Sequence, residues 1–175
     1  DSPHYLKLDG RPVLTTYGNQ DDAWWKNNIL DPLARAGHPV TFIPYFHLPR
    51  PNIDSPSEAA WADRIHSAPS IQGLFPFIIP GSVPFYSGDP NAGRHQWSML
   101  EAQENLAKQI RTAGKVLMSQ YMPYYWAVCH SARQYVEYQG GRGMANSWAS
   151  IIQKQRPQLV QIVTWNDYYE STFIQ

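Results

Sequence analysis

The feature that most restricts what this chain can become is an alternation of apolar, β-rich runs with segments of helical periodicity, repeated about five times. The runs are Pro12 to Tyr17, Val40 to Phe46, Ile71 to Ile79, Lys115 to Met122 and Val160 to Trp165. Val, Ile, Thr and aromatic residues suit a pleated surface covered on both sides, so each run reads as a buried strand. Helix signals fill the intervals. Asp21 or Asp22 can cap a helix over residues 23–36 that stops at Gly37. Trp25, Ile29 and Leu33 form its packed face, and Pro32 is a point of kinking. Residues 57–66 form a short helix, and residues 95–113 a longer one with Met99, Ala102, Leu106 and Ile110 on one face and Gly114 as its stop. Asn146 or Ser147 caps a last helix that runs through Gln155 and ends at Pro157. Ahead of all this, Asp9-Gly10 is a turn pair between two short extended stretches.

Strands that alternate with helices form parallel β/α units, because a parallel neighbour requires a long crossover connection. Two closures satisfy the pattern: an open doubly wound α/β sheet, or part of a (β/α)8 barrel of the TIM type. A complete barrel needs about 200 residues or more. At 175 residues the chain is one domain, 1–175. If barrel-derived, it is an incomplete barrel of about five β/α units. The chain opens at Asp1-Ser-Pro-His4 without an initiator methionine or a signal sequence, and is expected to be a piece of something longer.

Charge excludes some partners. With 14 basic and 14 acidic residues the formal net charge is zero, so there is no electrostatic footprint for nucleic acid or an anionic membrane. No apolar run reaches the ~18 residues of a membrane span. The 7 Trp, 11 Tyr and 6 Phe, beside only 16% charged residues, suit a neutral, hydroxyl-rich partner such as a carbohydrate. A single cysteine, Cys129, rules out a disulfide framework and a multi-cysteine metal site. The six histidines lack metal-ligand spacing and no serine stands in a G-x-S-x-G elbow, so neither a metal nor another cofactor is expected. The glycine-rich stretch Gln139 to Asn146 is read as a loop; it lacks the strand and helix that flank a phosphate-binding loop.

The chemistry is concentrated at the end of the last run. Val160 to Thr164 leads into Trp165, Asn166, Asp167, Tyr168 and Glu170, which puts two carboxylates three residues apart just past a strand's carboxyl end. That end is where ligands bind in α/β folds. Glycoside hydrolysis commonly needs such a pair flanking the scissile bond. Residues three apart face opposite sides of a strand, so the chain must turn after Trp165 for both carboxylates to meet one ligand. Spacing alone does not choose between retaining and inverting geometries. A second aromatic group, Tyr121 with Tyr124, Tyr125 and Trp126, follows the fourth strand and supplies candidate sugar-stacking rings. Trp148 lies in a helix and is read as core.

Val163-Thr-Trp-Asn-Asp-Tyr-Tyr-Glu-Ser171 resembles the signature of glycoside hydrolase family 71, the fungal α-1,3-glucanases or mutanases. The resemblance extends to residues 5–17, 40–44 and 158–163; the family's usual form has Gly where this chain has Tyr169. It implies a (β/α)8 barrel, secretion to the extracellular space or cell wall, and inverting endo-hydrolysis of α-1,3-glucan. Carried onto matching positions, it implies a catalytic pair of Asp167 as the base that activates water and Glu170 as the acid that protonates the leaving oxygen. Trp165, Asn166 and Tyr168 would support that pair and hold the sugar, together with Tyr121, Tyr125 and Trp126. Family 99 endo-mannosidases have a similar Trp/Phe-Asn-Glu-x-x-Glu arrangement after a late barrel strand, and Asp167 favours family 71 over them. The alternatives are a family 99-like endo-mannosidase, or a non-catalytic or truncated carbohydrate-binding remnant that keeps the aromatics.

Overall fold

The computed structural model of the chain describes residues 2–18, 20–45, 58–75, 86–87, 99–123, 125–127, 134–136, 141–166 and 168. In chain order the elements begin with β1 (Lys7–Leu8), β2 (Arg11–Leu14), α1 (Asp22–Trp25), α2 (Asp31–Arg35), β3 (Thr41–Phe42), α3 (Glu58–His66) and β4 (Gly73–Leu74). There follow β5 (Tyr86–Ser87), α4 (Met99–Thr112), β6 (Val116–Tyr121), β7 (Tyr125–Ala127), β8 (Gln134–Val136), α5 (Arg142–Ser150) and β9 (Leu159–Ile162).

Every long-range pairing among β2, β3, β4, β6 and β9 is parallel. β2 pairs with β3, β4 with β6 and β6 with β9, while an isolated parallel bridge from Tyr45 to Phe75 links the strand tracks of β3 and β4. The spatial order therefore follows the sequence without reversal. A doubly wound sheet reverses its order at a switch point, so the observed order is that of a singly wound sheet. β1 turns back on β2 as an antiparallel hairpin through Asp9 and Gly10, at φ 50° and 77°, the positive pair that a tight hairpin turn requires.

Two glutamines lock neighbouring strands at their amino ends. The Oε1 of Gln72, just before β4, accepts from the Phe42 backbone N–H at 2.9 Å. Gln158, just before β9, does the same for Leu117 at 3.0 Å. Each side chain occupies a donor that the ladder has not yet reached.

Period-two alternation sorts the apolar residues onto two faces. Phe42, Leu74 and Leu117 point to one side, where they pack with Trp25 of α1, Trp61 and Ile65 of α3, and Leu106 and Ile110 of α4. Val13, Ile43, Phe75 and Met118 point to the other side, flanked by Leu8, Val116 and Leu159. We call the first the helix face and the second the inner face. Gly73 sits opposite Val116 of β6: a Cβ added there would lie 2.5 Å from the Val116 carbonyl oxygen and 2.7 Å from the Val116 Cβ.

The helices follow the sequence with informative departures. Asp21 caps α1, its side chain accepting from the Trp24 N–H at 2.7 Å. Asp22 instead accepts from the Ser70 N–H at 3.0 Å. Between α1 and α2 the chain makes a π turn, Lys26–Leu30, immediately before Pro32. Proline has no N–H to give its preceding turn, and the widened turn accommodates it without ending the helical path. α4 stops at Gly114, which adopts φ 69° so that the Lys115 N–H reaches back to the Ile110 carbonyl at 3.1 Å.

Two expectations need correction. The glycine-rich stretch read as a loop is helical from Arg142 onward, entered through Gly141 at φ 90°. Met144, Ser147, Trp148 and Ile151 form a stripe at helical spacing, and its packing outweighs the poor helix propensity of Gly143. The last strand is not covered on both sides among the described residues: Val160 and Ile162, on its helix face, are 39% and 48% exposed. The outer portions of other runs, Phe46, residues 76–79 and residues 95–98, lie outside the described residues.

β5, β7 and β8 form a small antiparallel sheet in the order β5-β8-β7. β5 lies in the connection from β4 to α4, and β7 and β8 in the connection from β6 to α5. Two loops that leave the carboxyl ends of parallel strands are thus hydrogen-bonded to each other.

Candidate active site

In a parallel sheet every strand delivers its following loop to the same end. Here that end receives Trp165, Asn166 and Tyr168 after β9 and the start of β7 after β6. The β6–β9 ladder continues one step beyond Ile162, with the Val163 N–H donating to the Tyr121 carbonyl at 2.8 Å. The chain then leaves the sheet. The Tyr168 N–H donates to the Asn166 carbonyl at 3.0 Å. Trp165, Asn166 and Tyr168 are exposed, Trp165 at 66% and Tyr168 at 57%. Asp167 and Glu170 themselves lie outside the described residues, as do Tyr124 and Tyr169.

Tyr121, Tyr125 and Trp126 are placed differently from one another. The Tyr121 side chain belongs to the helix layer: it is 3% exposed and stacked on Trp148 of α5, with ring centroids 4.6 Å apart. That location is packing between sheet and helix rather than the open surface on which a sugar ring would lie. Trp148, read as core, is half-buried and packs on Tyr121. Tyr125 and Trp126 occupy β7, where Trp126 pairs with Tyr135 of β8 and Tyr135 pairs in turn with Tyr86 of β5. The backbone register thus aligns Tyr86, Tyr135 and Trp126 across the three strands.

A third aromatic group, not conspicuous in the sequence, stands at the neighbouring strand ends. Tyr17, Tyr45 and Phe75 stand just past the carboxyl ends of β2, β3 and β4. The rings of Tyr17 and Tyr45 are stacked at 4.7 Å and 8°, and Tyr45 meets Phe75 at 6.0 Å. Phe75 is buried and Tyr17 is 68% exposed, so the series runs from the inner face out to solvent. The signal was present: each of these strand-like runs carries an aromatic residue at or near its carboxyl end.

The other side of the sheet has a different character. The shallow groove between α3 and α4, lined by Ile65, His66, Asn105, Lys108 and Gln109, lies on the helix face, away from the strand ends. No group of three metal-ligating side chains occurs among the described residues. No helix among them is long and apolar enough to cross a membrane.

Comparison with known proteins gives this geometry a context. Residues 1–175 match the profile of Glycosyl hydrolase family 71 along their whole length. A glucan endo-1,3-alpha-glucosidase of Schizosaccharomyces pombe is 22% identical over 182 aligned positions, covering 99% of this chain and 37% of that protein. Two structures of a family 99 endo-alpha-mannosidase from Bacteroides thetaiotaomicron, one with bis-tris propane, superpose with a TM-score of 0.67 at 16% identity. They cover 99% of this chain and 47% and 49% of theirs. The chain thus shares their fold while spanning less than half the length of each of these proteins.

Proposed function

The chain belongs to glycosyl hydrolase family 71, and we propose that the protein carrying it is a glycosidase that cleaves α-1,3-glucan internally, with inversion, outside the cell or in its wall. The observation that carries this reading is the placement of Trp165, Asn166 and Tyr168, past the carboxyl end of β9 and beside the carboxyl end of β6. That position in a parallel α/β sheet is where side chains from successive loops converge on a ligand. The glucosidase named among the relatives supports the choice of substrate.

In the proposed mechanism Asp167 takes a proton from a water on one side of the sugar ring. The water oxygen forms the new bond to the anomeric carbon as the glycosidic bond breaks. Glu170 delivers its proton to the departing oxygen. Inverting enzymes hold such carboxyl groups about 6.5–9.5 Å apart, leaving room for the water. Asn166 hydrogen-bonds a sugar hydroxyl or orients a carboxylate. Trp165 and Tyr168 are available to sugar rings. Tyr17, stacked on Tyr45, extends the aromatic lining to the neighbouring strand ends.

The test is hydrolysis of α-1,3-glucan by the full-length protein beside Asp167→Asn and Glu170→Gln. Each substitution is expected to lower kcat by about 10²–10⁴-fold. Proton NMR of the first products should show the β-anomer. Equal sugar release by wild type and both variants overturns the assignment, and cleavage of an α-mannan alone moves the substrate to that of the structural neighbours.

A further inference from the structure

The inner face of β6 and β9 changes chemistry along its length. At the level of Met118 and its register partner Leu159 it is apolar. Two residues nearer the carboxyl ends, about 6.6 Å further along the strands, the register partners are Gln120 and Gln161. Gln120 is 2% exposed, and neither its Nε2 nor its Oε1 has a hydrogen-bond partner among the described residues. The Oε1 of the half-buried Gln161 is likewise without a partner there. The two amides stand on adjacent strands about 4.8 Å apart, yet they do not bond each other.

Buried amides in folded proteins are almost always paired, since an unpaired one forfeits its interactions with water. Two side by side, at the step where the apolar floor ends and the strands release their loops, need a partner that the described residues do not supply. Gln161 lies six residues before Asp167, and Gln120 five before Tyr125.

We propose that Gln120 and Gln161 form the floor of the sugar pocket and hold hydroxyl groups of the residue bound next to the scissile bond. This rests on the reading that the strand ends bind a polysaccharide, and adds two binding residues to it. An amide offers a donor and an acceptor without charge, which matches a hydroxyl, itself donor and acceptor. Gln120 supplies the buried contact, and Gln161 closes the pocket toward solvent.

The experiment measures melting temperature and kinetics of the full-length protein carrying Gln120→Leu or Gln161→Leu. Leucine removes the unpaired amide at similar volume, so Gln120→Leu is expected to raise the melting temperature of the sugar-free protein by about 2 °C. The same change should lower kcat/KM by about tenfold, with a weaker effect for the half-buried Gln161. Gain of stability with loss of turnover is a combination that a purely structural amide would not give. Unchanged kcat/KM in both variants, on whichever of α-1,3-glucan or α-mannan the wild type cleaves, overturns the inference and leaves the proposed function standing. A wild type that cleaves neither overturns both. Should Gln120→Leu fail to fold, that outcome contradicts the expected rise in melting temperature, and the kinetics of Gln161→Leu decide the binding role.

Discussion

Gln155 and Gln120 flank opposite faces of the same strand and are equally hidden, at 3% and 2% exposure. On the helix face, Gln155 is saturated. Its Oε1 accepts from Ser119 Oγ at 2.7 Å, and its Nε2 donates to Ser150 Oγ at 3.1 Å and more weakly to Gln103 Oε1 at 3.4 Å. The Arg111 guanidinium donates to its backbone carbonyl, and Ser150 passes the network on to Glu104 at 2.8 Å. On the inner face, Gln120 has no such partners among the described residues. Identical side chains at identical depth are thus used in two ways. Gln155 is closed into a network that links α4, β6 and α5, whereas Gln120 has none among the described residues.

The largest loss is expected at Gln155. Replacing it with leucine strands the Ser119 hydroxyl and removes the links to Ser150 and Gln103, an expected loss of about 3 kcal/mol in urea denaturation. A loss no larger than that of a surface substitution would mean that the network is decorative, and the contrast with Gln120 would collapse. Gly73→Ala comes next. The added methyl would collide with the Val116 backbone and side chain on the inner face, so about 2 kcal/mol is expected from overpacking in the same assay. If the protein is indifferent to it, β4 and β6 are not held as tightly under Gln120 as their geometry states. Gln158→Ala frees the Leu117 N–H at the amino end of β6 and should destabilise by about 1 kcal/mol.

Lys115 places a charged group just before the amino end of the same strand. Its ammonium donates to the carbonyls of Ala68 and Ile71 at 2.7 and 2.8 Å, a polar group half-closed by its neighbours. Burial lowers its pKa below the ordinary 10.5, partly offset by the negative charge of Asp22. In the alkaline range below 10.5 the unfolded chain therefore keeps a proton that the folded chain has begun to release. Stability attributable to this group rises with pH across that range. Urea midpoints measured through it should climb slightly less in Lys115→Met than in wild type, and the opposite slope would contradict the burial.

The parallel units were legible because alternation is a property of residue type: Leu117 and Met118 must part to opposite faces whatever surrounds them. Strand order was not, since nothing in a single run names its neighbour; it took the Tyr45–Phe75 bridge to join the tracks. The motif around Trp165 could be read because aromatic and acidic residues after a β-branched run are conspicuous. Tyr121 was misjudged on the same grounds. One position along a strand reverses its face, and Tyr121 falls with Leu117 and Ser119 rather than with Met118 and Gln120. The helix from Arg142 was hidden by its glycines, whose local preference is outweighed by the contacts of Trp148 and Ile151.

The unreversed strand order also governs how such a chain can be built. Each parallel strand pairs with the one synthesised just before it, so no strand waits for a distant partner, and loop closure stays within one unit at a time. A nascent polypeptide of this kind can add its layers as it leaves the ribosome. At every intermediate stage its newest strand presents an open edge and a bare outer face. The interval before the next unit arrives is when a chaperone has most to protect.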